Sequence, residues 1–233
     1  KQPLHPSKSA IGVDLGIKKL VTTSDGQVFE PINSFKANQL KLARLQRKLK
    51  KKTKFSENWK KLNLKINKLH HHIANIRHDY LHKVTTTLSK NHAMIVVEDL
   101  KVANMSKSAS RTPENQGKNV KAKSGLNKSI LDQGWSMLVG MLEYKQQWRG
   151  GLLVKVDPKY TSQTCSSCGH IAKENRPTQA KFECVSCGYV ANADINASRN
   201  ILAVGHTVLS VEGRRSKGRP AKQKASEIRE EVA

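Results

Sequence analysis

Two CxxC pairs limit what this chain can fold into more than any other feature of its sequence. All four cysteines of the 233 residues stand in these pairs, Cys165 with Cys168 and Cys184 with Cys187, and fifteen residues separate the pairs. This spacing is typical of a zinc site with four thiolate ligands. Four thiolates complete the tetrahedral coordination of Zn²⁺ and leave no position for a substrate or for water. We therefore expect one structural zinc ion, with a redox-active dithiol as the alternative interpretation.

The composition is strongly basic and indicates a polyanionic partner. The chain carries 42 Lys and Arg residues against 18 Asp and Glu residues, a formal net charge of +24. Nucleic acid is the commonest polyanion for such a chain, and a membrane surface is the rival. No apolar run reaches the roughly 18–20 residues of a spanning helix, and no signal peptide is visible. We expect a cytoplasmic protein that binds nucleic acid and no membrane. Its oligomeric state is left open, and its first residue, Lys1, is consistent with a piece of a longer protein.

Apolar runs predict five strands. Residues 10–17 and 92–100 have the composition of buried strands, and a fifth strand ends at Pro158. After the first run, the Asp25-Gly26 pair predicts a hairpin. The first three strands should therefore form an antiparallel meander.

Helical periodicity fills most of the remaining chain. It predicts two helices joined by a basic loop within 36–90, a helix over 129–149 whose two tryptophans belong to the core, and a final helix over 193–204. The polar residues 101–128 lack this period, and we expect them to form a mobile loop. Together with the strands, this order of elements matches an RNase H-like α/β fold.

The predicted helical pair carries a concentrated positive charge. Residues 36–69 contain thirteen Lys and Arg residues and one acid, Glu57. A solvated face of mixed charge would serve solubility better, so we expect this region to contact the phosphates of a nucleic acid. The candidate contacts are Lys48, Lys50, Lys51, Lys52, Lys54, Lys60 and Lys61, with Arg176 in the cysteine segment.

Three acids occupy the positions where an RNase H-like sheet would gather carboxylates. Asp14 closes the first strand, Glu98 closes the fourth, and Asp194 lies just inside the last helix. Converging carboxylates repel one another unless cations neutralise them, and hard oxygen ligands suit Mg²⁺ or Mn²⁺. Two such ions would permit hydrolysis of a phosphodiester bond by activated water. Asp99 competes with Glu98 for this role, whereas Asp157 is expected to turn the chain. A surface carboxylate or a helix cap is the alternative for each acid.

Four segments, in this order, resemble the RuvC-like nuclease half of TnpB. TnpB proteins are the OrfB products of bacterial and archaeal insertion sequences and are similar to compact type V CRISPR effectors. The segments cover about residues 10 to 205 and read IGVDLGIKKLVTTSDG, IVVEDL, SILDQGWSMLVGMLEYKQQWRGGLLVKVDPKYTSQTCSSCG and ECVSCGYVANADINASRNI. The resemblance implies an RNA-guided DNA endonuclease of transposable elements in a prokaryotic cell, with DNA and a guide RNA as partners.

The same resemblance implies roles for seven residues. Asp14, Glu98 and Asp194 would be the catalytic ligands of two Mg²⁺ or Mn²⁺ ions, which settles the choice of Glu98 over Asp99. The four cysteines would hold one structural Zn²⁺. The fold would be a RuvC-type mixed sheet of the RNase H-like class, with an inserted helical hairpin and a Cys₄ zinc ribbon.

The resemblance also predicts a division of the chain into domains. The nuclease core would comprise 1–159 and 189–205 and contain the basic hairpin at 36–90. The zinc ribbon would occupy 160–188, and 206–233 would form a basic, flexible tail. The amino-terminal region with which the family recognises guide and target is expected to be missing from this sequence.

Two other functions remain open from the sequence. A basic zinc-ribbon protein could bind nucleic acid and regulate transposition without cutting it, although three intact acids argue against this. Another nuclease of the same fold, such as an RNase H or a junction resolvase, would share the acids but is not expected to carry the Cys₄ insert. A strand-transferring transposase uses the same acid chemistry, but the resemblance favours cutting over joining.

Overall fold

The centre of the computed structural model, which describes residues 4–109 and 117–217, is a five-stranded mixed sheet. Its strands are β1 (Ala10–Leu15), β2 (Val21–Thr23), β3 (Val28–Phe29), β4 (Met94–Glu98) and β5 (Leu152–Val156). They lie in the order β3-β2-β1-β4-β5. The first three pair antiparallel, and β4 pairs parallel with both β1 and β5. The predicted meander and the mixed α/β fold are confirmed.

Six α-helices surround this sheet in the described part of the chain. They are α1 (Ser34–Lys50), α2 (Glu57–Asn91), α3 (Val102–Met105), α4 (Val120–Gln133), α5 (Trp135–Trp148) and α6 (Ala193–Lys217). The single helix predicted over 129–149 is therefore wrong. Gly134, with φ of 71°, separates α4 from α5 in a left-handed conformation that glycine adopts without strain. None of the helices that the structure describes is both long and apolar enough to span a membrane.

The mobile loop predicted over 101–128 is wrong for much of that segment. It contains α3 and the first part of α4, which hydrogen bonds hold together: Lys123 Nζ donates to Met105 O at 2.6 Å, and Asn127 Nδ2 donates to Ser106 O at 2.8 Å. Tertiary contacts thus stabilise a helix that has too few apolar residues to show a period. Residues 110–116 lie outside the described residues. So do 218–233 of the predicted tail, whereas α6 continues past the predicted end of the last helix to Lys217.

Two layers of helices cover the two faces of the sheet. On one face, alternate strand residues such as Val13 are buried in a cluster with Leu81 of α2 and Leu142 of α5. On the other face, Val96 of β4 packs against Ile201 of α6. Because side chains alternate along a strand, the residues adjacent to Val13 and Val97 face α6.

The helical hairpin formed by α1 and α2 stands partly outside these layers. Its outer half has a hydrophobic cluster of its own, made of Leu42, Ile66, Leu69 and Ile73. Asp132 of α4 holds the inner end, since its carboxylate accepts hydrogen bonds from the N–H groups of Phe35 at 2.9 Å and Lys36 at 3.1 Å. The same carboxylate forms an ion pair with Arg77 of α2 at 3.2 Å. The predicted pair of helices joined by a basic loop is present.

The two tryptophans of α5 differ in their surroundings. Trp135 is buried, as predicted, but Trp148 is 73% exposed, so its assignment to the core is wrong. Trp148 is the last residue of α5, where the helix passes beyond the core, and its ring lies 4.7 Å from that of Tyr144.

Candidate active site and metal centre

Asp14 and Glu98 lie beside each other at one edge of the sheet. Val13 of β1 pairs with Val97 of β4, and the two acids follow directly after this pair. Because β1 and β4 are parallel, both chains deliver their acids at the same, carboxyl-terminal edge. Glu98 therefore shares a face with Asp14. Asp99 points away from this face and pairs with Lys101 at 2.5 Å.

Asp194 reaches the same edge from the first turn of α6. The side chain of Asn192 accepts hydrogen bonds from the N–H groups of Asp194 at 3.1 Å and Ile195 at 3.3 Å, which caps the start of the helix. Gly12 of β1 permits the close approach of α6, because a Cβ atom there would clash with the carbonyl oxygen of Ser198. Helix α6 thus packs directly on β1, with Ser198 and Leu202 over Gly12.

The electrostatics of the edge reflect how close the three acids are. Burial above all, together with the negative charges of Glu98 and Asp194, raises the pKa of Asp14 to about 7, although the Arg176 guanidinium acts to lower it. Burial also raises the pKa of Glu98, although a hydrogen bond from the Thr161 hydroxyl, at 2.6 Å, lowers it. The structure therefore brings the three predicted acids together, in a setting that disfavours the negative charge of Asp14 and Glu98.

Two cations partly compensate Asp194. Lys19 Nζ lies 3.7 Å from its Oδ2 atom, and Arg176 NH2 lies 3.5 Å from its Oδ1 atom. Reasoning from the sequence missed Lys19 and gave Arg176 only a phosphate contact. No local pattern marks either residue, because one follows β1 and the other stands in the cysteine segment. Asp157 accepts a hydrogen bond from the N–H of Lys159 at 3.0 Å, in the turn that was expected of it.

The four cysteines form a compact cluster between β5 and α6. Their Sγ atoms all lie within 4.8 Å of one another, with 3.7 Å from Cys165 to Cys187 and 3.6 Å from Cys168 to Cys184. Tetrahedral Zn²⁺ with Zn–S bonds of about 2.3 Å requires Sγ atoms about 3.8 Å apart. The cluster therefore fits a metal such as zinc, as the spacing predicts.

The backbone presents the two cysteine pairs in equivalent turns. Gly169 N–H donates to Cys165 O and Gly188 N–H donates to Cys184 O, both at 2.9 Å. Both glycines have positive φ angles, 79° and 71°. A two-stranded sheet of β6 (Lys181–Glu183) and β7 (Val190–Asn192) joins the second turn to α6.

Asparagines tie this cysteine cluster to the carboxylate edge. Asn196 of α6 accepts a hydrogen bond from Ser166 N at 3.0 Å and donates to Thr164 O at 2.8 Å. One turn later, the buried Asn200 donates to Thr161 O at 2.9 Å and Thr164 O at 2.7 Å. The helix that carries Asp194 is thus fastened to the segment that supplies Thr161 and Arg176.

The predicted phosphate contacts of the hairpin form an exposed basic surface. All seven lysines are exposed, at Lys48, Lys50, Lys51, Lys52, Lys54, Lys60 and Lys61. Within the described residues only Lys60 has an acidic partner, Glu57 at 2.8 Å. The charge of this surface is therefore largely uncompensated and available to a polyanion.

Two family models match separate parts of the chain. OrfB_IS605, described as "Probable transposase", matches residues 1–109, and the Cas12f1-like TNB domain matches residues 135–201. The second match takes in the cysteine cluster and the start of α6.

Curated relatives include named nucleases. InsQ of Escherichia coli K12, a candidate RNA-guided DNA endonuclease, is 62% identical over 97% of this chain and 56% of its own. A second candidate RNA-guided DNA endonuclease, from Streptomyces pristinaespiralis, is 35% identical over 87% of this chain and 47% of its own. The CRISPR-associated endodeoxyribonuclease Cas12f1 of Sulfoacidibacillus thermotolerans is 51% identical over 30% of this chain and 17% of its own. The chain thus spans about half the length of the first two relatives.

Solved structures of Cas12f complexes share the fold. A CRISPR–Cas12f ternary complex matches with a TM-score of 0.55 and 21% identity, over 87% of this chain and 40% of the other. A Cas12f1–sgRNA–target DNA complex matches with a TM-score of 0.53 and 20% identity, over 82% of this chain and 49% of the other. The family models and the curated relatives confirm the resemblance of this chain to the TnpB (OrfB) proteins and to Cas12f1.

Proposed function

We propose that this chain is the nuclease part of an RNA-guided DNA endonuclease, built on an RNase H-like sheet of the RuvC type. The strand order supports this fold, because an antiparallel meander is followed by two parallel strands on one side of β1. The observation that carries the proposal is the convergence of Asp14, Glu98 and Asp194 at one edge of the sheet. Acids that raise the pKa of a buried neighbour, as Glu98 and Asp194 do for Asp14, are unfavourable in a fold and cluster at functional sites.

The three carboxylates fit a pair of Mg²⁺ or Mn²⁺ ions. They offer only oxygen ligands, which these cations prefer, and their mutual repulsion leaves negative charge for cations to neutralise. Asp14, Glu98 and Asp194 would hold the ions. When bound, two such ions supply an activated water and stabilise the leaving oxygen of a phosphodiester bond. The protein then needs no nucleophilic side chain.

The neighbouring side chains position these carboxylates. Thr161 donates to Oε1 of Glu98, which fixes the orientation of that carboxylate. Lys19 and Arg176 compensate part of the charge on Asp194. Cations at the edge would take over this role, and we expect the Arg176 guanidinium then to contact a phosphate of the substrate.

The partners are proposed from the relatives and from the basic surface. InsQ is described as an RNA-guided DNA endonuclease, and one matching Cas12f1 structure contains sgRNA and target DNA. The exposed lysines of the hairpin would contact the phosphates of a guide–target duplex or of the displaced DNA strand. The cysteine cluster would bind one structural Zn²⁺ ion.

The decisive experiment separates cutting from binding. In the full chain, Asp194→Ala should lower Mg²⁺-dependent cleavage of plasmid and single-stranded DNA by more than about a thousandfold. The affinity for DNA and RNA should stay nearly unchanged, because seven of the eight proposed phosphate contacts lie on the hairpin. Mg²⁺ is omitted rather than chelated in the controls, since a chelator would also remove zinc.

Two neighbouring acids provide a matched control. Glu98→Gln should abolish cleavage, whereas Asp99→Asn should preserve it, because Asp99 pairs with Lys101 away from the edge. Cleavage that survives Asp194→Ala would contradict the metal-site assignment. A parent protein that binds nucleic acid but never cuts it, with any guide, would instead favour the non-cutting regulator.

A further inference from the structure

An aromatic residue at the tip of the hairpin adopts an unusual backbone conformation. Residues 51–56 join α1 to α2, and Phe55 among them has a φ angle of 66°. This left-handed region is unfavourable for a bulky residue and persists only where the surroundings require it. Despite this, Phe55 is 66% exposed. The chain thus holds an aromatic ring at its surface in a conformation that a smaller residue would adopt with less strain.

A role in folding accounts for only part of this arrangement. Phe55 precedes Ser56, which caps α2 by accepting a hydrogen bond from Trp59 N at 3.2 Å. The rings of Phe55 and Trp59 lie 5.5 Å apart, a contact like the hydrophobic staple of helix starts. Such a contact stabilises a helix by burying the ring, yet most of Phe55 stays in solvent. The ring lies beside Trp59 and under the ammonium of Lys54, and most of the residue is still exposed to a partner.

The hairpin places this ring far from the sheet. Leu81 of α2 is buried in the main core, and Glu57 starts the same helix at the tip. At a rise of about 1.5 Å per residue, the helix between them is about 36 Å long. The outer half of the hairpin is supported by its own hydrophobic cluster and needs no contact with the sheet.

The surroundings of the ring are cationic. Lys54 Nζ lies 5.0 Å from the centre of the Phe55 ring, and Lys51 and Lys52 are exposed in the same loop. The nearby acid, Glu57, is paired with Lys60. An exposed aromatic ring among cations is the combination with which proteins bind single-stranded nucleic acid, by stacking on a base and neutralising phosphates.

We propose that Phe55, supported by Trp59, stacks on an unpaired base of an RNA strand whose phosphates contact the lysines of the loop. This deepens the proposed function, on which the choice of RNA rests. Folded RNA presents unpaired bases in loops and ends, whereas duplex DNA keeps its bases stacked. The DNA strand to be cut must lie at the carboxylate edge, whereas this ring lies at the outer end of the hairpin.

The test uses two substitutions of Phe55 in the full chain. Phe55→Asn removes the ring and suits the positive φ angle, whereas Phe55→Trp keeps a stacking surface. With a single-stranded RNA that contains 2-aminopurine, Phe55→Asn should weaken binding at least about fivefold and reduce the quenching of 2-aminopurine fluorescence. Phe55→Trp should restore both. The slope of affinity against salt should not change, since no charge is lost.

A charge variant and a melting curve complete the design. Lys51→Gln should weaken binding to single-stranded and duplex RNA alike and reduce the salt slope, with the fluorescence quenching of the bound RNA preserved. Phe55→Asn should melt at or above the temperature of the parent protein. A lower melting temperature with unchanged RNA affinity would overturn the proposal and leave the ring a purely structural role.

Binding of the variant to duplex RNA and to single-stranded DNA tests the stacking and the choice of RNA separately. Phe55→Asn should leave binding to duplex RNA unchanged, and an equal loss on duplex and single strand would overturn stacking. A larger loss on single-stranded DNA than on RNA would overturn the choice of RNA. These assays measure binding without cleavage and can be repeated in the Asp194→Ala background. A chain that shows the effect of Phe55 but never cuts DNA would contradict the proposed nuclease and support this inference.

Discussion

The cysteine cluster and the carboxylate edge both gather groups of like charge, but they are built in different ways. The cluster comes from one short segment, in which two equivalent turns present four Sγ atoms to one point. The edge draws Asp14, Glu98 and Asp194 from three elements that are distant in the chain. The cluster would close around its ion, whereas the edge keeps Asp194 26% exposed and paired with the side chains of Lys19 and Arg176. A closed site of this kind suits a structural ion, and an open one suits a reaction.

The two regions are also coupled. The cysteine segment supplies Thr161 to Glu98 and Arg176 to Asp194, so it positions two of the three acids. Asn196 and Asn200 of α6 hold that segment in place. The cysteine cluster thereby supports the carboxylate edge. Substitutions in the cluster should therefore disturb the edge, whereas substitutions at the edge should leave the cluster intact.

The largest effect is expected from Cys184→Ser. Loss of one buried thiolate should leave the remaining three unable to close the coordination sphere, so that the segment around the cluster unfolds. Metal analysis should find about one zinc ion per parent chain and far less in the variant. Amide hydrogen exchange should show lost protection over 160–192, and cleavage should fall as Thr161 and Arg176 lose their positions.

Ser166→Ala is the matched control for this substitution. Ser166 stands between Cys165 and Cys168, and its backbone N–H, not its side chain, bonds to Asn196. The control should keep its zinc and its cleavage activity. A Cys184→Ser protein with normal exchange protection and normal cleavage would refute the support that the cluster is argued to give.

A smaller effect is expected from Asn200→Ala. This substitution removes hydrogen bonds between α6 and the cysteine segment and leaves the ligands of both sites in place. Asn200 is buried and donates to the carbonyl oxygens of Thr161 and Thr164, so its loss removes two hydrogen bonds, although Thr164 O keeps the one from Asn196. We expect about 1–3 kcal/mol less free energy of unfolding and reduced cleavage, with zinc content unchanged. Thr207→Ala, on the exposed side of the same helix, should change neither quantity. Zinc loss in Asn200→Ala would show that the two regions are not separable.

The cysteine cluster and the sheet could both be predicted from the sequence. The cysteine cluster was predictable because its ligands and turns lie within one short segment. The sheet was predictable because apolar runs and the Asp25-Gly26 turn mark its strands, and because that order places Asp14 beside Glu98. In both cases the information is local, or follows from the strand order alone.

Other features depend on contacts that no local pattern reveals. Asp132 looks like an ordinary helical acid, yet its carboxylate caps α1 and pairs with Arg77. The ion pair of Lys19 with Asp194 joins residues from opposite ends of the chain. Trp148 continues the apolar period of α5 but lies beyond the core. Periodicity predicts which face of a helix is apolar, but not where the neighbouring layer ends.

The smallest effect is expected at the edge itself, from Asp14→Asn without added Mg²⁺. The pKa of Asp14 is about 7 in the folded chain, against 3.8 for an ordinary aspartate. Between these values the folded state keeps a proton that the unfolded state releases, so the free energy of unfolding falls as the pH rises through this window. Asparagine carries no charge, so the free energy of unfolding of the variant does not fall in this way as the pH rises. Above pH 7 the variant should therefore melt about 2–4 °C higher than the parent protein, the shift for 1 kcal/mol in a domain of this size.

Two further measurements complete this prediction. The difference in melting temperature should shrink toward pH 5, where Asp14 is protonated in the folded parent protein. Added Mg²⁺ should stabilise the parent protein more than the variant at pH 8, because the cation neutralises the carboxylate that the variant lacks. The variant should not cut DNA. A variant that melts below the parent protein at every pH would mean that Asp14 is stabilised rather than repelled at the edge. The carboxylate edge would then not differ from the cysteine cluster in holding charges that repel one another.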